Sequence, residues 1–383
     1  MAGKSRLRAG DLVEVRSREE ILQTLDRTGG LDALPFMPEM FQFCGRRFRV
    51  YKRAHKTCDT VNDYKGRRMD AAVHLEGLRC DGQGHGGCQA GCLLYWKEAW
   101  LRKVDDADRS SSAVAARHLA ADAPSGHCTE ADVIAGAQQA PDAVTGEPVY
   151  VCQATQVPAA TTRLPWWSAG QYFEDYTSGN VGLARMACGL LYRGYDNVIH
   201  LGIGLGAPMR WLYDTFQRIR GGRPYPARSG NIPAGERTPT VKSELQEGDL
   251  VRVKSYDAIL ATCDQSGRNR GMTFDAEMVP YCGGTHRVLK KVTRIINEKT
   301  GRMQPISNPC IILDEVVCQS RYSACRLFCP RSVYPYWREI WLEKLPQPQT
   351  AGSLASDATK REARPSRSGA FVPVASLRAH ADR

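Results

Sequence analysis

"GDLVEVRSREEILQTLD", residues 10–26, and "GDLVRVKSYDAILATCD", residues 248–264, are two versions of one segment, 238 positions apart in a chain of 383 residues. The same offset carries Phe36, Glu39 and Met40 onto Phe274, Glu277 and Met278, and Cys44 onto Cys282. It then carries Arg49 and Val50 onto Arg287 and Val288, Leu75 onto Leu313, and Cys80 onto Cys318. One register held without a gap from Gly10 to Cys80 means that the chain contains a module twice, and a repeat of this kind dictates how every other feature is read. Past Cys80 the copies differ by small insertions, then rejoin at "YWKEAWL" (95–101) and "YWREIWL" (336–342).

Each copy opens with alternating apolar residues, the pattern of a half-buried strand, followed by Ile21, Leu22 and Leu25, or Ile259 and Leu260, at helical spacing. The strand-like "FRVYKR" and "HRVLKKV" come next. The opening resembles the first strand of SH3-like small barrels, which suggests a fold and no function. The expectation is an α+β chain: two small β-rich, SH3-like barrel-type modules with four-cysteine metal sites, separated by a helical insert. The boundaries expected are a first module over 8–104, an irregular linker over 105–164, the helical insert over 165–222, an extended linker over 223–246, a second module over 247–345 and a disordered basic tail over 346–383. Arg185, Arg193 and Asp196 interrupt the apolar run of the insert, which favours packed or interfacial helices over a membrane span.

With 42% hydrophobic and 24% charged residues the composition is that of a soluble globular protein. The opening "MAGKSRLRAG" is not followed by an apolar run of the secretory kind, and the reading is cytoplasmic. In a reducing compartment, the fourteen cysteines are better suited to metal binding than to disulfides. A net charge of +11 favours nucleic acid or an acidic protein surface as partner, although part of the excess lies in the tail "TKREARPSRSG".

Four cysteines recur in both copies: Cys44, Cys80, Cys88 and Cys92 correspond to Cys282, Cys318, Cys325 and Cys329. Four thiolates suit a closed tetrahedral zinc site, so two zinc ions per chain are expected. An iron–sulfur cluster makes the same demand, and "CRLFCP" carries a Cys-Pro found also in bacterial ferredoxin motifs. Cysteines acting only as small buried hydrophobes are the metal-free alternative.

His85 lies within "CDGQGHGGCQAGC" (80–92), but Ser323 stands near its place in the second copy. It can therefore serve only the first site, as a ligand or as a hydrogen-bond partner of one, or be an exposed loop residue. His55, Cys58, Cys128 and Cys152, with His127, have no counterparts and are irregular candidates for a third site. Glu39 and Glu277 are expected to orient the loop through backbone N–H groups or to pair with Arg49 and Arg287. General acid–base work is the sharper alternative. Trp96 and Trp100, matched by Trp337 and Trp341, have the i, i+4 spacing of one helical face and are read as core.

Segments such as "MPEMFQFCGRRFRVYKRAHKTCDTV" and "LRCDGQGHGGCQAGCLLYWKEAWL" resemble those of an uncharacterised bacterial family with two cysteine-rich repeats. The resemblance implies no activity. The chain has no P-loop, H-E-x-x-H or G-x-S-x-G motif, and "GIGLGAP" (202–208) follows an apolar helical segment, which does not suit a phosphate loop. No catalytic constellation is recognised. The expected function is a zinc-stabilised tandem-module binding factor, with an iron–sulfur redox or accessory protein as the alternative.

Overall fold

The computed structural model describes residues 6–104, 128–323 and 325–346. It is a mixed helix and sheet protein built on several small antiparallel sheets. The expected basic tail beyond Pro346 and residues 105–127 of the expected linker lie outside the described residues.

The first large sheet contains β1 (Leu12–Val15), β2 (Arg47–Arg53), β5 (Ala72–Arg79), β6 (Leu93–Lys97) and β7 (Leu101–Lys103), in the order β6-β5-β2-β1-β7. Between β2 and β5, the strands β3 (Lys56–Cys58) and β4 (Gly66–Arg68) leave the sheet and form a smaller one with β8 (Thr162–Arg163). The second large sheet repeats the first: β9 (Leu250–Val253), β10 (Thr285–Ile296), β11 (Met303–Leu313), β12 (Trp337–Arg338) and β13 (Leu342–Lys344), ordered β12-β11-β10-β9-β13.

The copies match in register as well as order. Leu12 faces Arg49 and Leu250 faces Arg287; Val50 faces Leu75 and Val288 faces Leu313. The physical basis is the alternation in "GDLVxV", which buries Val13 and Val15, and Val251 and Val253, completely. Ser17 caps α1 (Arg18–Leu22) and Ser255 caps α7 (Tyr256–Leu260) through the same side-chain bond to a backbone N–H. Gly45 and Gly283 take φ of 72° and 76° just before β2 and β10, a conformation glycine adopts without steric cost.

Trp96 and Trp100, and Trp337 and Trp341, are fully buried, as their core role requires. They do not share a helical face. Trp96 and Trp337 lie in strands, while Trp100 and Trp341 end the 3-10 turns between β6 and β7 and between β12 and β13. A strand followed by one 3-10 turn returns both indoles to the core, which i, i+4 spacing alone does not distinguish from a helix. At about 25 cal/mol per Å² and roughly 200 Å² per indole, each contributes about 5 kcal/mol of transfer energy.

The second half of the expected 105–164 linker belongs to the first core. Val133 on α2 (Glu130–Gly136) and Cys152, Ala154 and Val157 around α3 (Gln153–Gln156) are buried in it. Gln153 holds α3 in place by accepting from Tyr95 N at 2.8 Å and donating to the carbonyls of Pro35 and Tyr95.

The insert forms α4 (Ala169–Thr177), α5 (Leu183–Ile199) and α6 (Gly206–Ile219). Asp175 on α4, wholly buried, receives Lys56 Nζ at 2.6 Å and lies 3.3 Å from His55 Nε2. Asn180 pairs with the backbone N–H and C=O of Arg53, both at 2.8 Å. By contrast, Leu191, Leu201, Ile203, Trp211 and Ile219 are exposed around α5 and α6. No helix among the described residues is long and apolar enough to cross a membrane. The following segment is extended and pinned to neighbours: Tyr225 donates to Asp196 and Pro226 accepts from Tyr256, each at 2.6 Å.

Candidate metal centre

Residues 80–92 leave β5 and return to β6 as a tight loop closed by Cys80 N donating to Cys92 O at 2.8 Å. Gly82, Gly86, Gly87 and Gly91 all take positive φ in it. A Cβ on Gly82 would lie 2.1 Å from the Cys88 carbonyl oxygen, so only glycine lets the loop fold back on itself. The fold brings Cys80, Cys88 and Cys92 to one cavity, and α3 brings a fourth thiol, Cys152. The second module closes the cavity with Ile296, Glu298 and Arg331. Ile296 N donates to Cys88 Sγ at 3.3 Å, and Gln89 bonds the backbone of Thr293 and Arg294.

Burial sets the electrostatics. It pushes the Cys92 thiol up to about 12 and the Cys152 thiol up to about 11, and it raises the Cys80 thiol further, with Glu39 adding to the effect. Thiols in such a place stay protonated unless a cation compensates the thiolate. Four cysteines around one cavity therefore make a store of ligands whose deprotonation calls for a metal.

At one edge of the cavity Glu39, Cys80 and His85 offer ligand atoms that all lie within 4.8 Å of one another. Cys80 Sγ is 3.4 Å from His85 Nε2, and His85 Nδ1 is 3.7 Å from a Glu39 carboxylate oxygen. His85 is buried, contrary to the exposed-loop alternative, and its Nδ1 and both Glu39 oxygens lack hydrogen-bond partners. Burial accordingly raises the Glu39 pKa and lowers that of His85.

The second copy treats the equivalent carboxylate differently. Glu277 accepts from the backbone N–H groups of Arg321, Tyr322 and Ser323 at 2.9, 2.6 and 3.1 Å, which is the loop-orienting role expected of it. The expected alternative partners, Arg49 and Arg287, instead donate to the carbonyls of Gly10 and Gly248, both at 3.1 Å.

Cys44 does not line the cavity. Its charged neighbours are Arg18, Glu19 and Glu130, whereas those of Cys282 are Arg223 and Asp257. The two matched cysteines end matched 3-10 turns and sit beside the α1 and α7 sides of their modules. Among the described residues, the irregular cysteines and histidines do not gather into a third site. His55 faces Asp175, Cys128 lies near Asp26 and Asp132, Cys152 joins Cys88 and Cys92, and Cys58 meets Cys329; His127 lies outside the described residues. No protein-family model, curated protein or solved structure matches this chain.

Cys152 entered the sequence reading only as an irregular extra. Glu298 and Arg331 did not enter it, because nothing in their local sequence marks residues that seal a cavity in the other module.

Proposed function

We propose that this chain is an iron–sulfur protein whose first centre is held by Cys80, Cys88, Cys92 and Cys152, serving as a redox component or as an accessory to another enzyme. The observation that carries this reading is the spacing of the four thiols around their cavity. A single zinc ion at a Zn–S distance of about 2.3 Å draws its sulfurs to within about 3.8 Å of each other. Among the described residues, no three of these thiols satisfy even a 4.8 Å limit. A cluster of several irons spreads its thiolates more widely than one ion does, and it supplies one-electron chemistry when bound. The chain's contribution is a buried pocket, with the Arg331 guanidinium among its lining groups.

A second reading is zinc at Glu39, Cys80 and His85, favoured by the unpartnered carboxylate oxygens and Nδ1. Zinc accepts this mixture of oxygen, sulfur and nitrogen ligands. Either centre would brace modules whose strand order, fourth-third-second-first-fifth with a 3-10 turn before the last strand, supports the likeness to SH3-like barrels. Such modules, with a net charge of +11, are suited to nucleic acid or an acidic protein surface. That contact should weaken steeply with added salt.

The deciding experiment is metal and acid-labile sulfide analysis of protein purified with and without oxygen. Brown anaerobic protein with iron and sulfide in similar amounts supports the cluster. Stoichiometric zinc without sulfide overturns it in favour of the second reading.

A further inference from the structure

The loop of the second module that carries Cys318, Cys325 and Cys329 takes a left-handed backbone at two places where the first module has glycine, without glycines of its own. Ser320 and Phe328 occupy the places of Gly82 and Gly91 and take φ of 49° and 63°, against 79° and 60° in the first copy. A left-handed conformation is sterically costly for a residue with a side chain. The second module bears that cost twice, beside Cys318 and beside Cys329.

The fourth thiol again comes from outside the copy that supplies the other three. Cys58, at the end of β3, lies with its sulfur in hydrogen-bonding reach of Cys329, and Cys318 is an electrostatic neighbour of both. The Cys325 loop packs against β4 where Gly66 pairs with Cys58: a Cβ on Gly66 would stand 3.0 Å from the Cys325 carbonyl oxygen. Cys58 and Cys329 are buried, and Arg331 Nη1 reaches Cys58 Sγ at 4.0 Å. Lys56, two residues before Cys58, donates to Leu327 O inside the loop at 2.7 Å. Three separate bonds and contacts thus hold the β3–β4 excursion of the first module on the cysteine loop of the second.

We propose that Cys58, Cys318, Cys325 and Cys329 form a second iron–sulfur centre, in which the first module completes the ligand set of the second. The proposal extends the reading that the cysteine loops of this chain bind metal. Its consequence is that the second centre clamps the two modules together, because its ligands come from both.

The test measures iron, zinc and sulfide per chain in full-length protein purified without oxygen, for the native sequence and for Cys58→Ser, Cys325→Ser, Cys152→Ser and Cys282→Ser. Cys325 is only partly buried, so its replacement disturbs packing little and guards against misfolding of the Cys58 variant. The expected result is a loss of about half the metal in the Cys58 and Cys325 variants, a similar loss from the first centre in Cys152→Ser, and native content in Cys282→Ser. Full metal content in both the Cys58 and Cys325 variants overturns the second centre. So does native protein whose entire metal content disappears with Cys152→Ser, which leaves the first centre standing. Metal-free native protein overturns both.

Discussion

The Arg331 guanidinium donates to the carbonyl oxygen of Cys58 at 3.1 Å, joining the second module to the first across 273 positions of sequence. The same group bonds Thr60 Oγ1 at 2.6 Å and pairs with Glu298 at 3.3 Å, and it is almost completely buried. Removing it takes the guanidinium from the Cys58 carbonyl and leaves Thr60 Oγ1 and the Glu298 carboxylate, which bond each other, without the buried positive charge. Arg331→Met is expected to destabilise the chain by about 3 kcal/mol or more, read as a lower urea midpoint. A change below 0.5 kcal/mol would show that the contact contributes little.

Cys152→Ser and Cys44→Ser separate the cavity from the repeat as guides to the ligands. Cys152 lines the cavity and Cys44 does not. The first substitution should reduce bound metal and the second should leave it at the native level, measured on anaerobically purified protein. The reverse outcome would return Cys44 to the ligand set.

Trp100 Nε1 donates to Thr24 Oγ1 at 3.1 Å, and Trp341 Nε1 donates to Thr262 Oγ1 at 2.9 Å. Thr24→Val and Thr262→Val each leave a buried indole N–H unpaired, at an expected cost of about 1–3 kcal/mol. Equal losses in thermal or chemical unfolding would show that the two copies use this bond alike.

Asp175 compensates the buried Lys56 ammonium and lies beside His55. Asp175→Ala leaves Lys56 buried without its carboxylate partner, an expected loss of about 3–5 kcal/mol. Hydrogen exchange should rise first in α4, whose docking depends on the pair. Unchanged protection there would place the anchoring elsewhere.

His74 is buried with Nδ1 2.9 Å from Leu94 O, and burial holds its pKa down to about 3. An unfolded histidine titrates near 6.5, so between those values the unfolded chain binds a proton that the folded chain refuses. Stability contributed by the neutral ring is present above about pH 6.5 and declines as the pH falls, by up to about 1.4 kcal/mol per unit. His74→Gln should flatten the stability profile between pH 6.5 and 5, and a parallel profile would contradict the assignment.

The duplication was legible in sequence because its two copies keep the same residues at a constant offset from Gly10 to Cys80, alternating valines and matched cysteines among them. The strand pairs the valines make lie within one module and share the offset of 238. The three thiols of each loop were legible for the same reason. The repeat could not specify the fourth. It pointed to Cys44 and Cys282, which keep their matched places at the ends of 3-10 turns, while Cys152 and Cys58 have no twin to mark them. Cys152 arrives because Gln153 bonds the backbone of β6, and Cys58 arrives because β3 crosses to the other module. A repeat encodes what each copy does within itself. Contacts between the copies are asymmetric, and only the tertiary structure decides them.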